Sequence, residues 1–169
     1  MAALPLAEWR DFYVMIGTAS GAIVGASFIV ATLAGNLKER RATGLRGFIA
    51  PTIVHLGSVL IGSAILTAPT LTPLALSVLL GSGGLAGVAY GIVVATRIWA
   101  MRLDTADRAG YAIIPISAYA AIAAAAFLGL SAAALALDIL AVALVAILVV
   151  GIRNTWDMAT FILLRDQHA

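Results

Sequence analysis

The residues of this chain that could do chemistry are few, and they lie within apolar sequence. His55 stands in an apolar run that begins near Phe48, and Arg153, Asn154 and Asp157 lie close together at the end of the last apolar run. Arg153 and Asp157 are spaced i,i+4, and Asn154 and Asp157 i,i+3, so in a helix the three side chains share one broad face and can pair. Polar and ionisable groups inside a membrane are rare and mark candidate functional sites.

Helix geometry predicts that these four residues form one polar layer. At 1.5 Å per residue, His55 lies roughly 10 Å below the nearer membrane boundary, and Arg153 lies about 22 Å from Asp138, close to the same depth. Residues at similar depth that could join the layer are Ser27, Thr32, Tyr90, Ser117 and Tyr119.

Each member also has a purely structural interpretation. His55 could be a neutral imidazole that bonds to a hydroxyl or carbonyl group. Arg153 could reach lipid phosphates and Asp157 could lie in water, if the last helix starts one turn earlier.

The composition predicts an all-α integral membrane protein. Of 169 residues, 63% are hydrophobic and 11% are charged, and the mean hydropathy is +1.08. A soluble domain carries about a quarter charged residues. We therefore predict one domain over residues 1–169, built as a bundle of five transmembrane helices. The expected spans, with a turn near Asp138 between the last two, are Tyr13–Leu33, Phe48–Ala68, Leu74–Thr96, Tyr111–Ala133 and Ile139–Met158.

The basic residues predict the orientation of the bundle. Nine of the ten Lys and Arg residues fall in connections or helix ends on one side, and only Arg10 lies on the other. Basic loops stay in the cytoplasm, so the N-terminus is expected outside and the C-terminus inside. A net charge of +2, spread over short loops, does not indicate nucleic-acid binding.

Two glycine stripes predict close helix packing. The first span carries Gly17, Gly21 and Gly25, and the third carries Gly83, Gly87 and Gly91, each at intervals of four residues. Small residues at this spacing let two helices approach closely. The stripes could pack against each other inside one chain or drive assembly of a homo-oligomer.

The sequence predicts no enzyme, no cofactor and no metal site. Cysteine is absent and there are two histidines, so thiolate nucleophiles and cysteine metal sites are excluded. The run from Gly81 to Gly84 resembles the nucleophile loop of an intramembrane serine protease. Ser82, however, is expected at a different depth from His55, beyond the contact that nucleophile and base need.

Two short segments resemble a group of small bacterial membrane proteins without an assigned activity. The segments are P-T-[IV]-V-H, here Pro51 to His55, and G-I-x-N-x-W-D, here Gly151 to Asp157. The resemblance extends loosely over all five spans and implies a multi-pass protein of the bacterial cytoplasmic membrane. In that group the position of Arg153 is often histidine. The resemblance implies no substrate, cofactor or reaction.

Two functional hypotheses follow. The first is an oligomeric channel or small-solute permeation protein, whose inner-leaflet polar layer contains His55, Asn154, Asp157 and Arg153. The alternative is a non-conducting accessory or sensor protein, in which this layer docks a membrane-protein partner and a protonatable His55 responds to pH. A transporter has less support because no inverted repeat or pair of broken helices is evident.

Overall fold

The computed structural model describes residues 6–35, 39–100, 105–129 and 131–166, of which 33–35, 39–48 and 161–166 are described by backbone alone. The elements in this part of the chain are helical, and no strand occurs among them. They are α1 Leu6–Gly35, α2 Glu39–Thr67, α3 Pro73–Trp99, α4 Thr105–Arg108, a π-helical turn Ala109–Ile113, α5 Ile114–Leu128 and α6 Ala133–Asp166. Five helices in the described chain are long and apolar enough to cross a membrane, with α4, the π turn and α5 forming one of them.

Prolines mark two of the helix starts. Thr72 caps α3, because its side-chain oxygen accepts a hydrogen bond from the Ala75 amide at 3.2 Å, and Pro73 occupies the first turn without losing a bonded donor. Pro115 stands in the first turn of α5. Pro51 lies inside α2, because that helix begins at Glu39, well before the apolar run.

Helix α5 ends at Leu128 and α6 begins at Ala133, so the prediction of a break near Asp138 is wrong. Gly129 ends α5, and its amide donates to the Ala125 carbonyl at 2.8 Å. The run from Ala133 to Leu137 contains only alanine and leucine, which favour helix, so α6 starts there. Arg153 consequently lies about 30 Å from the start of α6.

Helices α1, α2 and α6 form one packed group. Ser20 Oγ on α1 donates to the Leu56 carbonyl on α2 at 2.6 Å. The Tyr13 hydroxyl on α1 donates to the Leu137 carbonyl on α6 at 3.1 Å. Leu56 also packs over Gly151, where its side chain fills the space that a β-carbon would take. The pairing makes α2 antiparallel to both α1 and α6.

Helices α3 and α5 form a second pair, joined along glycines. A β-carbon at Gly84 would lie 2.7 Å from the Ala123 backbone nitrogen, and one at Gly87 would overlap the Tyr119 ring. At Gly91 it would meet the Ile116 side chain at 2.6 Å. This close approach commits α3 to α5, and α3 touches α2, its neighbour in the chain, far less.

The two predicted glycine stripes therefore pack on different partners and not on each other. Gly17 and Gly21 face α2, whereas Gly25 has no atom within 4 Å of its β-carbon position. On α3 Gly84 and Gly91 are buried, and Gly83, which is adjacent to Gly84, is exposed with open space around it. The four-residue spacing identified the α3 face to within one residue but not its partner helix.

Candidate functional site

His55 is completely buried in α2 and begins a chain of hydrogen bonds across the bundle. Its Nδ1 lies 3.0 Å from the Tyr119 hydroxyl of α5, and that hydroxyl lies 3.0 Å from Ser58 Oγ. Ser58 Oγ in turn donates to the Val54 carbonyl at 2.8 Å. The edge of the Tyr90 ring of α3 also meets the imidazole, with ring centroids 6.1 Å apart. Side chains of three helices thus meet at His55.

The direction of this chain can be assigned from its last acceptor. A carbonyl can only accept, so the single proton of Ser58 goes to Val54, and Ser58 must accept from Tyr119. Tyr119 has then used its own proton and must accept from His55 Nδ1. A neutral His55 therefore carries its proton on Nδ1, and its Nε2 is a lone-pair acceptor.

A cleft of about 400 Å³ lies where α2 and α3 fail to pack closely. One end of the cleft is formed by Ser58, Tyr90 and Tyr119. The rest of its lining is apolar or glycine and includes Ile61, Ile65, Leu79, Leu80, Gly83 and Leu144. Ile61 and Leu79, at 62% and 43% exposed, lie at the rim, so the cleft opens on the outer surface of the bundle.

Arg153 is held by ion pairs at the end of the bundle where α1 ends and α2 begins, which we call the basic end. Its Nη2 lies 3.3 Å from Asp107 Oδ1, and its Nε lies 3.5 Å from Asp157 Oδ2. Nη1 donates to the Ala106 carbonyl at 3.0 Å. The guanidinium also lies over Gly110 of the π turn and would have to shift to admit a β-carbon there. These pairs tie α4 and the π turn to α6.

Asn154 is completely buried next to this ion-paired group. Its Oδ1 lies 3.5 Å from the β-carbon position of Gly110. Within the part of the chain that the structure describes, neither of its amide atoms has a hydrogen-bond partner. His55 Nε2 also lacks a partner there.

The four residues predicted to form one layer are not all joined by direct contacts among the described residues. Arg153 and Asp157 pair with each other, as their spacing indicates, but the hydrogen bond of His55 goes to Tyr119, which in turn donates to Ser58. Of the additional residues considered, Tyr90 and Tyr119 meet His55, Ser27 bonds to Thr155 at 3.1 Å, and Thr32 and Ser117 are exposed.

Sequence reasoning missed Ser58 and Asp107. Ser58 follows His55 by three residues, a spacing that places both on one helix face and could have identified it. Asp107 had no such signal, because the π turn decides which way α4 faces.

The ion pairs of Arg153 are expected to contribute little to stability. The side chains of Arg153, Asp107 and Asp157 are 41%, 35% and 42% exposed, and pairs this exposed are worth about 0–1 kcal/mol. Arg153→Gln and Asp107→Asn should each lower the free energy of unfolding in mixed detergent micelles by no more than about 1 kcal/mol. A loss of several kcal/mol from either would mean that the charges are effectively buried.

No family model, no curated protein and no solved structure matches this chain.

Proposed function

We propose that this chain is a five-span membrane protein, with its basic end in the cytoplasm, that binds a membrane-soluble alcohol in the cleft between α2 and α3. The ligand is an amphiphile with an apolar body and one hydroxyl head. Such a protein belongs to the non-conducting, sensor class of function. The observation that carries the proposal is an apolar cleft whose lining includes three hydroxyl-bearing side chains, those of Ser58, Tyr90 and Tyr119.

The shape and lining of the cleft suit a molecule that arrives from lipid. Leu79 to Tyr90 on α3 extend about 16 Å at 1.5 Å per residue, the length of a medium acyl or isoprenoid chain. The rim residues Ile61 and Leu79 lie on the apolar outer surface, so a ligand can enter sideways without crossing water. Ligand sites are commonly apolar clefts with a few placed polar groups, and sites between bundle helices are frequent.

The hydrogen-bond chain favours a hydroxyl head over a carbonyl head. The protons of Ser58 and Tyr119 are both used inside the chain, and each oxygen keeps a lone pair. These two groups therefore accept from a ligand and do not donate to it. Tyr90, at the same end of the cleft, can donate or accept. An ammonium head is disfavoured because no carboxylate lines the cleft.

A cleft-filling variant tests the proposal. Gly83 lines the cleft, and a β-carbon there meets no atom within 4 Å, so Gly83→Leu should fill the cleft without disturbing the helix packing. Gly25→Leu is the matched control, since Gly25 is equally open but lies on α1, away from the cleft. The probe is a long-chain alcohol bearing a photoreactive diazirine, added to the protein in nanodiscs and mapped by mass spectrometry.

We expect labelling at Ile61 and Leu79 in the native chain and in Gly83→Ala, and its loss in Gly83→Leu but not in Gly25→Leu. Farnesol should compete for the site better than its methyl ether. Ser58→Ala should weaken binding about two- to tenfold, because one neutral hydrogen bond contributes about 0.5–1.5 kcal/mol. Ser82→Ala, which removes an exposed hydroxyl bonded to its own helix, should have no effect. Equal labelling of Gly83→Leu and the native chain would refute the proposal.

Permeation by an oligomer is the second candidate function. The observation that favours it is Gly25, an exposed glycine with open space around it on α1, which offers a packing surface to another copy. The interior of one chain does not favour a pore through it, because Leu56, Val59, Leu137 and Ile147 fill its centre and are at most 1% exposed. A pathway would therefore lie between chains. Subunit counting in nanodiscs by mass photometry and ion flux into proteoliposomes test it, and a monomer without flux would exclude it.

A further inference from the structure

Asn154 is a buried side chain whose hydrogen-bonding groups are unused. It is 0% exposed, and both amide atoms lack a partner within the described residues. Leaving such groups unsatisfied is costly, and native proteins usually satisfy them with protein groups or ordered water. The amide provides two donors on Nδ2 and one acceptor on Oδ1. Asn154 therefore indicates a small polar ligand that the bundle encloses.

His55 Nε2 is a second buried group without a partner. The chain through Tyr119 and Ser58 fixes the imidazole proton on Nδ1, so Nε2 needs a donor. The protein supplies none in its described part. The unused atoms of His55 and Asn154 together provide two acceptors and two donors, which water can match because it both donates and accepts.

The two residues lie at nearly the same level of the bundle. Leu56 packs over Gly151, which sets the register of α2 against the antiparallel α6. His55 lies one residue from Leu56 towards the basic end, and Asn154 lies three residues from Gly151 in the same direction. At 1.5 Å per residue, their levels differ by about 3 Å. Both side chains point to the interior, since neither is exposed.

We propose that Asn154 and Nε2 of His55 hold internal water, in a site that is distinct from the cleft and does not depend on its ligand. One water donates to Nε2, and it or a second water satisfies the Asn154 amide. Buried waters typically make about three hydrogen bonds to such groups. A metal cation does not suit the site, because the Arg153 guanidinium contacts Gly110, the same residue that Asn154 adjoins.

The test is solid-state NMR on protein in lipid vesicles with ¹⁵N-labelled histidine. His168→Gln leaves His55 as the single histidine, so every histidine signal reports this site. We expect a Nδ1-protonated ring and magnetisation transfer from water to Nε2. Asn154→Leu should abolish that transfer, whereas Ser63→Ala, which removes another buried unpartnered hydroxyl, should retain it.

A ring that receives no magnetisation from water in the unsubstituted protein would overturn the inference, whatever the variants do. Retention of the transfer in Asn154→Leu would overturn the role of Asn154. Both outcomes are separate from alcohol labelling of the cleft, so failure here leaves the proposed function standing.

Discussion

Gly84→Ala should destabilise the protein strongly, whereas Gly83→Ala should have little effect. The added methyl group at Gly84 would lie 2.7 Å from the Ala123 nitrogen and 2.9 Å from the Tyr119 carbonyl oxygen, and backbone atoms cannot turn aside. Helices α3 and α5 must separate to admit it. Overpacking of this kind costs about 1–3 kcal/mol. At Gly83 the same methyl group meets open space.

The measurement is the free energy of unfolding by sodium dodecyl sulfate in mixed micelles, for both variants and the native chain. Gly151→Ala serves as an intermediate case, because the atoms that it would meet belong to the flexible end of Leu56 and can shift. The expected order of destabilisation is Gly84, then Gly151, then Gly83. Equal losses at Gly83 and Gly84 would mean that α3 does not present this face to α5.

Tyr119→Phe should be the most damaging removal of a single oxygen atom. The substitution leaves the buried His55 Nδ1 proton without an acceptor. It also removes the hydroxyl that donates a hydrogen bond to Ser58. An unsatisfied buried group costs about 1–3 kcal/mol. Tyr90→Phe is the matched control, because Tyr90 meets His55 through its ring, which phenylalanine keeps.

A double-mutant cycle makes this prediction specific to the chain of hydrogen bonds. Ser58→Ala in the native background deprives Tyr119 of its acceptor, but in a Tyr119→Phe background no such proton exists. Ser58→Ala should therefore lower the free energy of unfolding less in the Tyr119→Phe background than in the native one, with a coupling energy of about 0.5–3 kcal/mol. Additive losses, or a Tyr90→Phe variant as unstable as Tyr119→Phe, would contradict the assigned directions.

Much of the fold could be predicted because long apolar runs have few alternatives. The five runs and the pairing of Arg153 with Asp157 follow from local spacing. The start of α6 could not be placed, since alanine and leucine continue both a membrane span and a helix outside it. That error of about six residues lengthens α6 at its start, and it leaves the level of Arg153 relative to His55 unchanged because Leu56 packs over Gly151.

The candidate site was harder to predict because it depends on which helices adjoin. His55 could be singled out as a polar residue in an apolar run, but its partners come from α3 and α5 and are fixed by packing. The cleft was not predictable at all. It exists because Gly84 and Gly87 let α3 pack closely on α5 and therefore not on α2. The spacing of glycines in a sequence does not show which helix will pack against them.

The π turn at Ala109–Ile113 amounts to one extra residue in an otherwise α-helical segment. Each residue of an α-helix turns the chain by about 100°, so the extra one rotates everything before it by about that angle. Because of this rotation, Ala106 and Asp107 face Arg153. An uninterrupted helix with the same composition would point them elsewhere. In an alignment, a relative lacking that residue would show a one-residue gap near Gly110, and it would be expected to lack the contacts of Arg153 as well.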